Sequence, residues 1–397
     1  MTTRVPRGFR LAAVHCGLKS DPARSDLTLI ACDRDATAAG VYTQNRFCAA
    51  PVLLDRGRTP SAKIRAVVAN SGNANACTGE QGLRDAREMA RLTAQACGVE
   101  EAQVLVLSTG VIGEPLPMLK ISAGIAAAAA QLDADDPALV AAARGLMTTD
   151  AYHKLAARQL RLAGQDVSLA GLAKGAGMIG PNLATMLAVL LTDAALTPED
   201  AQRLLSTVVD ETFNCISVEG HTSTNDTVLL LASGAAHQRT LDGPNLAAFE
   251  GALQGVCGEL ARAIPNDGEG ATHLIQIEVR GCARREDARR IAREIANSPL
   301  VKTAVAGGDP NWGRIVSAAG NAGVEFQPGR VDLSVNGCRL FQQGAPAAFD
   351  AAAISASIRA NRQTDIVVQL AEGDCQARFW TSDLTAEYVR INSDYHT

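Results

Sequence analysis

A glycine-rich segment near the middle of the chain, residues 174–186 (KGAGMIGPNLATM), combines residue types that serve several kinds of chemistry. Gly175, Gly177 and Gly180 permit positive φ angles and a close approach of the backbone to a neighbour. A lysine beside glycine is also a feature of phosphate-binding loops, but the spacing here departs from the P-loop pattern. On spacing alone, a structural loop is therefore favoured over a phosphate cradle.

The end of this segment indicates another kind of chemistry. Ala184 and Thr185 lead directly into an apolar run, residues 186–191, that is typical of a buried strand. A self-cleaving N-terminal nucleophile requires such a step, because the Thr185 hydroxyl can attack the Ala184 carbonyl only where the backbone is exposed and strained. Cleavage would free the α-amine of Thr185. An α-amine has an ordinary pKa of about 7.7–8.0, so it can serve as the base for the hydroxyl of its own residue.

Other polar motifs have ordinary structural interpretations when each is taken alone. Residues 108–110 (STG) are typical of the turn at the end of a strand, and residues 148–150 (TTD) of a helix that runs into a turn. Residues 222–227 (TSTNDT) are typical of a polar strand edge. Residues 309–314 (DPNWGR) predict a turn with an anchoring aromatic side chain, and no chemical step is assigned to them.

Composition excludes several classes of protein. The 397 residues carry a formal net charge of −5, with 47% hydrophobic and 20% charged residues, which predicts a sizeable core and argues against a general nucleic-acid or anionic-membrane binder. No apolar run approaches the roughly 18 residues of a membrane span, and residues 1–10 lack the apolar core of a signal peptide, so a cytoplasmic location is expected. The cysteines show no CxxC spacing and the histidines no HxxxH or HExxH spacing. We therefore expect reduced, mostly buried cysteines and no metal site.

These motifs must be positioned by a framework of helices and strands. Strand-like runs rich in β-branched residues lie at residues 66–70, 104–107, 228–233, 274–280, 331–335 and 365–370. Helices are predicted at residues 81–97, from Thr197-Pro198 onward, at 285–296 on the outside of the molecule, and at 347–359. The apolar residues 388–391 predict a further strand. Strands and helices mixed along the whole length indicate an α/β or α+β protein with layered sheets.

Read in order, the motifs resemble those of the ornithine acetyltransferase family, the bifunctional glutamate N-acetyltransferases and amino-acid acetyltransferases of arginine biosynthesis. The similarity covers essentially the whole chain. Besides residues 174–186, it rests on residues 7–10 (RGFR), 38–43 (AAGVYT), 70–79 (NSGNANACTG), 108–113 (STGVIG), 147–150 (MTTD), 222–227 (TSTNDT), 266–272 (NDGEGAT), 309–315 (DPNWGRI) and 388–392 (YVRIN). The resemblance implies an α/β (α+β) fold, the layered sandwich of self-processing N-terminal-nucleophile proteins.

The resemblance also implies roles for individual residues. Cleavage between Ala184 and Thr185 would give an α chain of residues 1–184 and a β chain of residues 185–397 that begins with the nucleophile. The positions that match the oxyanion hole are Thr109 and Gly110. The positions that match substrate contacts are Thr148, Lys174, Thr185, Glu269, Asn392 and Thr397.

Elementary chemistry agrees with several of these roles. A backbone N–H at Gly110 and the hydroxyl of Thr109 can both donate to an oxyanion, and one such donor typically contributes about 2.7–4 kcal/mol in the transition state. Lys174 suits a substrate carboxylate, and Glu269 suits the far amine of ornithine. Taken alone, however, a lysine or glutamate beside glycine is usually a solvated loop residue.

The activity that the resemblance implies is acetyl transfer from N²-acetylornithine to glutamate through an ester on Thr185, without a metal or organic cofactor. Acetyl-CoA stays open as a second acetyl donor, and two cleaved protomers are expected to form an (αβ)₂ heterotetramer. Two other interpretations stay open. One is a hydrolase in which water captures the same ester, and the other is an anion-binding protein whose chain is never cut.

Three segments depart from the pattern that is usual in the family. Residues 219–221 read Glu-Gly-His where many members carry Asp-Gly-Asp, His273 stands where lysine is common, and His396 where threonine is usual. We expect these differences to tune the substrate pocket rather than the nucleophile, so the acceptor is less firmly implied than the chemistry.

Overall fold

The computed structural model describes residues 5–180, 186–237 and 239–394. Ala184, Thr185, His396 and Thr397 lie outside the described residues. Two β-sheets and the helices that cover them make up the described part of the chain.

The first sheet has eight strands in the described residues. They are β1 (Phe9–Val14), β2 (Leu27–Tyr42), β3 (Ser61–Asn73), β4 (Val104–Val111), β5 (Lys154–Leu162), β6 (Gln165–Lys174), β7 (Leu187–Thr192) and β9 (Thr227–Ala232). Their order is β4-β3-β2-β9-β7-β6-β5, and β1 pairs with β2 beside this path. Strands β3 and β4 are parallel, as are β7 and β9, whereas β6 and β7 are antiparallel with Lys174 opposite Leu187.

The second sheet has seven strands in the same described ranges. They are β8 (Ile216–Ser217), β10 (Leu274–Cys282), β11 (Asp332–Val335), β12 (Cys338–Gln342), β13 (Ala345–Pro346), β14 (Gln363–Gln369) and β15 (Cys375–Ser382), in the order β13-β12-β11-β14-β10-β15-β8. Strands β10 and β14 are parallel, and β15 runs antiparallel to β10.

The helices lie against the faces of these sheets. They are α1 (Ala50–Arg56), α2 (Gly79–Cys97), α3 (Met118–Ala129), α4 (Asp136–Leu146), α5 (Pro198–Glu211), α6 (Gly243–Asn266), α7 (Arg285–Asn297), α8 (Pro299–Ala306), α9 (Trp312–Gly320), α10 (Ala351–Ala360) and α11 (Ala386–Asp394). The start of α5 is as predicted, because the Thr197 side chain accepts a hydrogen bond from the Asp200 N–H and Pro198 opens the helix.

Both faces of the first sheet are buried, which explains why its central strands read as continuous apolar runs. In β7, Ala188 and Leu190 belong to the core beneath α5 and α6, whereas Val189 and Leu191 belong to the core beneath α4. The expected layered α/β architecture is therefore confirmed. The six strand-like runs and the four predicted helices all lie in or overlap observed elements of the expected kind.

The outer helix α7 has two different faces. Arg284, just before the helix, and Arg285 form ion pairs at the surface, while Ile291 and Ile295 pack on the second sheet. The predicted turn with an anchoring aromatic is also present, because Trp312 opens α9 and stacks on Phe341 with ring centroids 5.2 Å apart.

The prediction of a strand at residues 388–391 is wrong, because this segment lies inside helix α11. The side chains of Glu387 and Arg390 pair one turn apart on this helix, with an Nε–Oε2 distance of 2.8 Å. The Thr385 hydroxyl, just before the helix, donates to the Gly270 carbonyl at 2.7 Å. The strand preference of Tyr, Val and Ile is weak against such tertiary contacts.

The boundary between residues 184 and 185 does not divide the molecule into separate folding units. Strands β6 and β7 lie on opposite sides of it and pair residue by residue over Leu169–Lys174 and Leu187–Thr192. Strand β9, from the second half, also pairs with β2, from the first. Each half therefore supplies strands to one common sheet.

Cysteines only partly follow the expectation. All ten are free thiols, but four are buried, five are half-buried and Cys77 is exposed. Within the described ranges, no helix is long and apolar enough to cross a membrane, and no group of three His, Cys, Asp or Glu side chains is arranged to hold a metal ion.

Candidate active site

A small cavity lies at one end of the first sheet, where β4 and β6 end and β7 and β9 begin. The turn after α4, the loop between α6 and β10, and helix α11 close its sides. Its volume is about 80 Å³, and its described lining residues are Ala74, Thr109, Gly110, Ile112, Thr148, Thr149, Lys174, Gly177, Met178, Ser223, Thr224, Asn225, Glu269 and Asn392. The structure thus brings together every predicted site residue that it describes.

Thr109 and Gly110 reach this cavity because they stand at the carboxyl end of β4. Gly110 has φ of +136°, a conformation that residues with a side chain rarely adopt. A Cβ atom at this position would overlap the backbone of Gly72 and Asn73 on the neighbouring strand β3. Glycine is therefore required here by the close approach of the two strands, and Gly110 lines the cavity.

Lys174, the last residue of β6, is almost completely buried, with 2% of its surface exposed. Its Nζ atom lies 3.1 Å from Oγ1 of Thr109. An ammonium group can only donate, so Thr109 is the acceptor in this hydrogen bond and its own hydroxyl proton remains available to a second acceptor. Burial lowers the pKa of Lys174 from its ordinary value, although Asp150 opposes this shift.

Glu269 and Asn392 form the opposite wall. The Nδ2 atom of Asn392 lies 2.9 Å from Oε2 of Glu269, and it also donates to the Tyr388 carbonyl at 3.0 Å. The Glu269 backbone N–H donates to the Ala176 carbonyl at 3.0 Å, which ties this loop to the glycine-rich segment. Gly177 makes room for the carboxylate, because a Cβ atom there would lie 2.5 Å from the Glu269 carboxyl carbon.

The cavity therefore combines a hydroxyl and a glycine backbone at positive φ beside a buried ammonium, together with a carboxylate and an amide. This set can stabilise an oxyanion at one end and bind an amine at the other. The ArgJ family model matches residues 10–397 of the chain. The chain belongs to the ArgJ family.

Individual relatives agree with this assignment. The chain is 45% identical over 396 residues to the arginine biosynthesis bifunctional protein ArgJ of Rhodopirellula baltica, covering 99% of this chain and 96% of that protein. It is 48% identical over 395 residues to the protein of the same name from Symbiobacterium thermophilum, covering 99% and 98%. These matches confirm the resemblance that the sequence motifs indicated.

A crystal structure of ArgJ from Bacillus halodurans is also similar, with a TM-score of 0.50 and 41% identity. The match covers 51% of the present chain and 96% of the crystallised chain. That crystallised chain is therefore only about half as long as the present one.

Three residues of the segment 222–227, whose role the sequence left open, line the cavity: Ser223, Thr224 and Asn225. The Asn225 side chain is buried and its Nδ2 atom donates to the carbonyls of Ala74, at 2.6 Å, and Ser108, at 2.8 Å. Asn225 thus joins the ends of β3 and β4 to the start of β9, which fixes the strand that carries Thr109.

Asp226 was not predicted as a site residue, yet its carboxylate contacts Met186, the residue that follows Thr185 in the sequence. Its carboxylate is fully buried and accepts hydrogen bonds from the backbone N–H groups of Met186, at 3.1 Å, and Ser223, at 3.2 Å. Burial raises the pKa of Asp226 to about 7, against the opposing effect of these hydrogen bonds. The sequence did offer one indication of this role: the aspartate of the TSTNDT motif stands directly before an apolar strand. A buried carboxylate at such a place must accept hydrogen bonds from neighbouring backbone N–H groups.

The histidine departures have separate environments. His221 is exposed, and His273 is buried with Nδ1 3.0 Å from Oδ2 of Asp383 and Nε2 3.2 Å from the Ile358 carbonyl. Neither ring is among the described residues that line the cavity. His273, just before β10, instead links that strand to helix α10 and to the segment after β15.

Proposed function

We propose that the chain is a self-processing acetyltransferase that moves the acetyl group of N²-acetylornithine to glutamate through an ester on Thr185. One observation carries the proposal. Residues from separate parts of the chain, each matching a functional position of the family, line a single cavity: Thr109, Gly110, Thr148, Lys174, Glu269 and Asn392. The names of the relatives, which refer to arginine biosynthesis, support it.

The first step in this account is chain cleavage. The Thr185 hydroxyl attacks the Ala184 carbonyl carbon, and the peptide bond is replaced by an ester as the Thr185 nitrogen takes up a proton. Water then hydrolyses the ester, leaving the carboxylate of Ala184 and a free α-amine on Thr185. The half-length chain of the Bacillus halodurans relative supports this step. Pairing between β6 and β7 would hold the α and β chains together afterwards.

The first half of acetyl transfer uses that free amine as a base. It removes the proton of the Thr185 hydroxyl as the oxygen attacks the acetyl carbonyl of N²-acetylornithine. Negative charge develops on the carbonyl oxygen, where the Thr109 hydroxyl and the Gly110 N–H donate to it. Collapse of the intermediate breaks the amide bond, and the proton passes to the departing amine of ornithine.

The second half reverses the order of events. The neutral α-amine of glutamate attacks the acetyl ester, the same two donors stabilise the oxyanion, and Thr185 leaves with its proton restored. Substrate recognition fits the charges of the walls, because the Glu269 carboxylate suits the δ-ammonium of ornithine and the Lys174 ammonium suits a substrate carboxylate. Transfer rather than hydrolysis requires that water be excluded while the ester waits for glutamate.

The remaining parts of the proposal concern the assembly and the second donor. Two cleaved protomers would form an (αβ)₂ heterotetramer in the cytoplasm, acting on small molecules without a metal or organic cofactor. The word bifunctional in the names of the relatives supports acetyl-CoA as an additional acetyl donor.

An acetyl-transfer assay tests this function. Purified enzyme is incubated with glutamate and either N²-acetylornithine or acetyl-CoA, and N-acetylglutamate, ornithine and acetate are measured together. We expect N-acetylglutamate and ornithine in equal amounts, with little acetate, from the first donor. Acetate as the main product would identify a hydrolase, and the absence of any product from N²-acetylornithine would overturn the proposal. Formation of N-acetylglutamate from acetyl-CoA would show that acetyl-CoA is a second acetyl donor, and its absence would show that it is not.

A further inference from the structure

A buried ion cluster lies directly behind the cavity. The Nζ atom of Lys154, the first residue of β5, lies 2.7 Å from Oδ1 of Asp150 and 2.7 Å from Oδ2 of Asp267. The side chains of Lys154 and Asp150 are completely buried, and that of Asp267 is 4% exposed. The family motifs include both aspartates, but the lysine between them belongs to none of these motifs and does not line the cavity.

Each carboxylate of the cluster also holds backbone that reaches the cavity. Asp150 accepts hydrogen bonds from the N–H groups of Gly175, at 2.7 Å, and Thr148, at 3.0 Å. One carboxylate thus fixes both the turn that carries Thr148 and the residue that follows Lys174.

Asp267 also holds a backbone segment by accepting a hydrogen bond. Its Oδ2 atom accepts a hydrogen bond from the Ala151 N–H at 3.1 Å, and Asp267 stands two residues before Glu269. Lys154 therefore joins the turn after α4 to the loop after α6, and both segments supply residues that line the cavity.

Two lysines act on the carboxylates of this cluster. Lys154 contacts both Asp150 and Asp267, and the charge of Lys174 also acts on Asp150. The positive charges of Lys154 and Lys174 lower the pKa of Asp150 to about 2, although burial alone would raise it. A buried ion cluster adds little net stability compared with apolar packing, so such a cluster needs another reason to be present.

We propose that Lys154 is a positioning residue for acetyl transfer: through Asp150 and Asp267 it holds Thr148, Lys174 and Glu269 at their places around the reacting acetyl group. This inference rests on the proposed function. Lys154 touches neither substrate nor nucleophile in this account. Its loss would leave Asp150 with the charge of Lys174 but without that of Lys154, and we expect the Lys174 ammonium to be drawn towards Asp150 and away from Thr109.

The first test is Lys154→Met in the full-length protein, which keeps the length of the side chain and removes its charge. We expect kcat with N²-acetylornithine and glutamate to fall about 100-fold, because a displacement of about 1 Å at a catalytic group has an effect of that size. The KM for N²-acetylornithine should rise less than kcat falls. Wild-type activity measured beside it separates failure of the inference from failure of the proposed function.

A second variant restores the net charge that the cluster has in the wild type. Lys154→Met/Asp267→Asn removes one positive and one negative charge, and the asparagine oxygen can still accept from the Ala151 N–H. We expect kcat of this double variant to be about tenfold higher than that of Lys154→Met and about tenfold lower than that of the wild type, because the two residues are coupled. It also serves as the test if Lys154→Met alone fails to fold.

A matched control separates positioning from general loss of a buried lysine. Lys302 is equally buried, and its Nζ atom donates to the Val218 carbonyl, at 2.6 Å, and to Thr381 Oγ1, at 2.9 Å. Lys302→Met should lower the melting temperature and leave kcat unchanged. The inference is overturned if a folded Lys154 variant keeps kcat and KM within about twofold of the wild type, or if Lys302→Met loses as much kcat as Lys154→Met.

Discussion

Removal of one hydroxyl group, by Thr109→Ala, tests the geometry of the cavity. The Thr109 side chain is buried, and its oxygen already accepts from the Lys174 ammonium at 3.1 Å. Because the Thr109 oxygen is the acceptor in that contact, the hydroxyl proton is free to be donated elsewhere. In our account it is donated to the oxyanion. Losing such a donor typically costs about 2.7–4 kcal/mol of transition-state stabilisation, which corresponds to a fall in kcat of about 10²–10³.

The same substitution also deprives the Lys174 ammonium of a buried acceptor. A buried donor left without its partner costs about 1–3 kcal/mol, but this cost is paid in the free enzyme as well as in the transition state. It should therefore appear as a lower free energy of unfolding rather than as a lower kcat. The two effects can be separated because they appear in different measurements.

The assay is steady-state kinetics of acetyl transfer with both substrates varied, together with urea unfolding of the same preparations. Thr109→Ser keeps the hydroxyl and should retain most of the activity, whereas Thr109→Val keeps the shape and should behave like alanine. Chain cleavage is checked first, because the same hydroxyl can stabilise the cleavage intermediate. A raised KM with an unchanged kcat would refute the reasoning, since Thr109 would then be a binding residue.

Three further changes have defined outcomes. Gly177→Ala places a Cβ atom 2.5 Å from the Glu269 carboxyl carbon and should raise the KM for N²-acetylornithine about tenfold with little change in kcat; an unchanged KM would contradict the assignment of Glu269. Deletion of residues 393–397 should leave cleavage intact, raise the KM for both amino-acid substrates and release more acetate, whereas unchanged KM and acetate would remove this segment from the site. The pKa of Asp150 falls from 3.8 to about 2 on folding, so its carboxylate contributes about 2 kcal/mol of stability above pH 4, lost as the pH falls through about 2. Urea unfolding should show the stability gap between the wild type and Asp150→Asn closing over that range, and a constant gap would contradict it.

Much of the fold could be predicted because its patterns are local. The strands of the first sheet are buried on both faces, so they appear as apolar runs bounded by turn residues, and Thr197-Pro198 marks the start of α5. The segment 388–391 was predicted wrongly because it lies in a helix whose backbone passes close to Gly270 at Tyr388, and Val389 is exposed rather than packed in a sheet. Nothing in four residues distinguishes these two outcomes.

The cavity was predictable only in part. Thr109, Gly110 and Lys174 lie in motifs that could be matched to a family, but their meeting at one end of a sheet depends on strand order, which the sequence does not display. Lys154 lies in a strand with mixed polar and apolar residues, where a lysine is predicted to be exposed to solvent. Its burial depends on Asp267, which is 113 residues away in the chain.

Intact-mass spectrometry of the purified protein tests the central claim, that Thr185 becomes an N-terminal nucleophile, most directly. Under denaturing conditions we expect two chains of 184 and 213 residues, about 19 and 22 kDa when the 41.4 kDa of the whole chain is divided by length. The larger chain should begin at Thr185 and gain one acetyl group after incubation with N²-acetylornithine alone, and Thr185→Ala should give a single uncut and unacetylated chain. A wild-type protein that remains one chain of 41.4 kDa, or an acetyl group found on the smaller chain, would contradict the account.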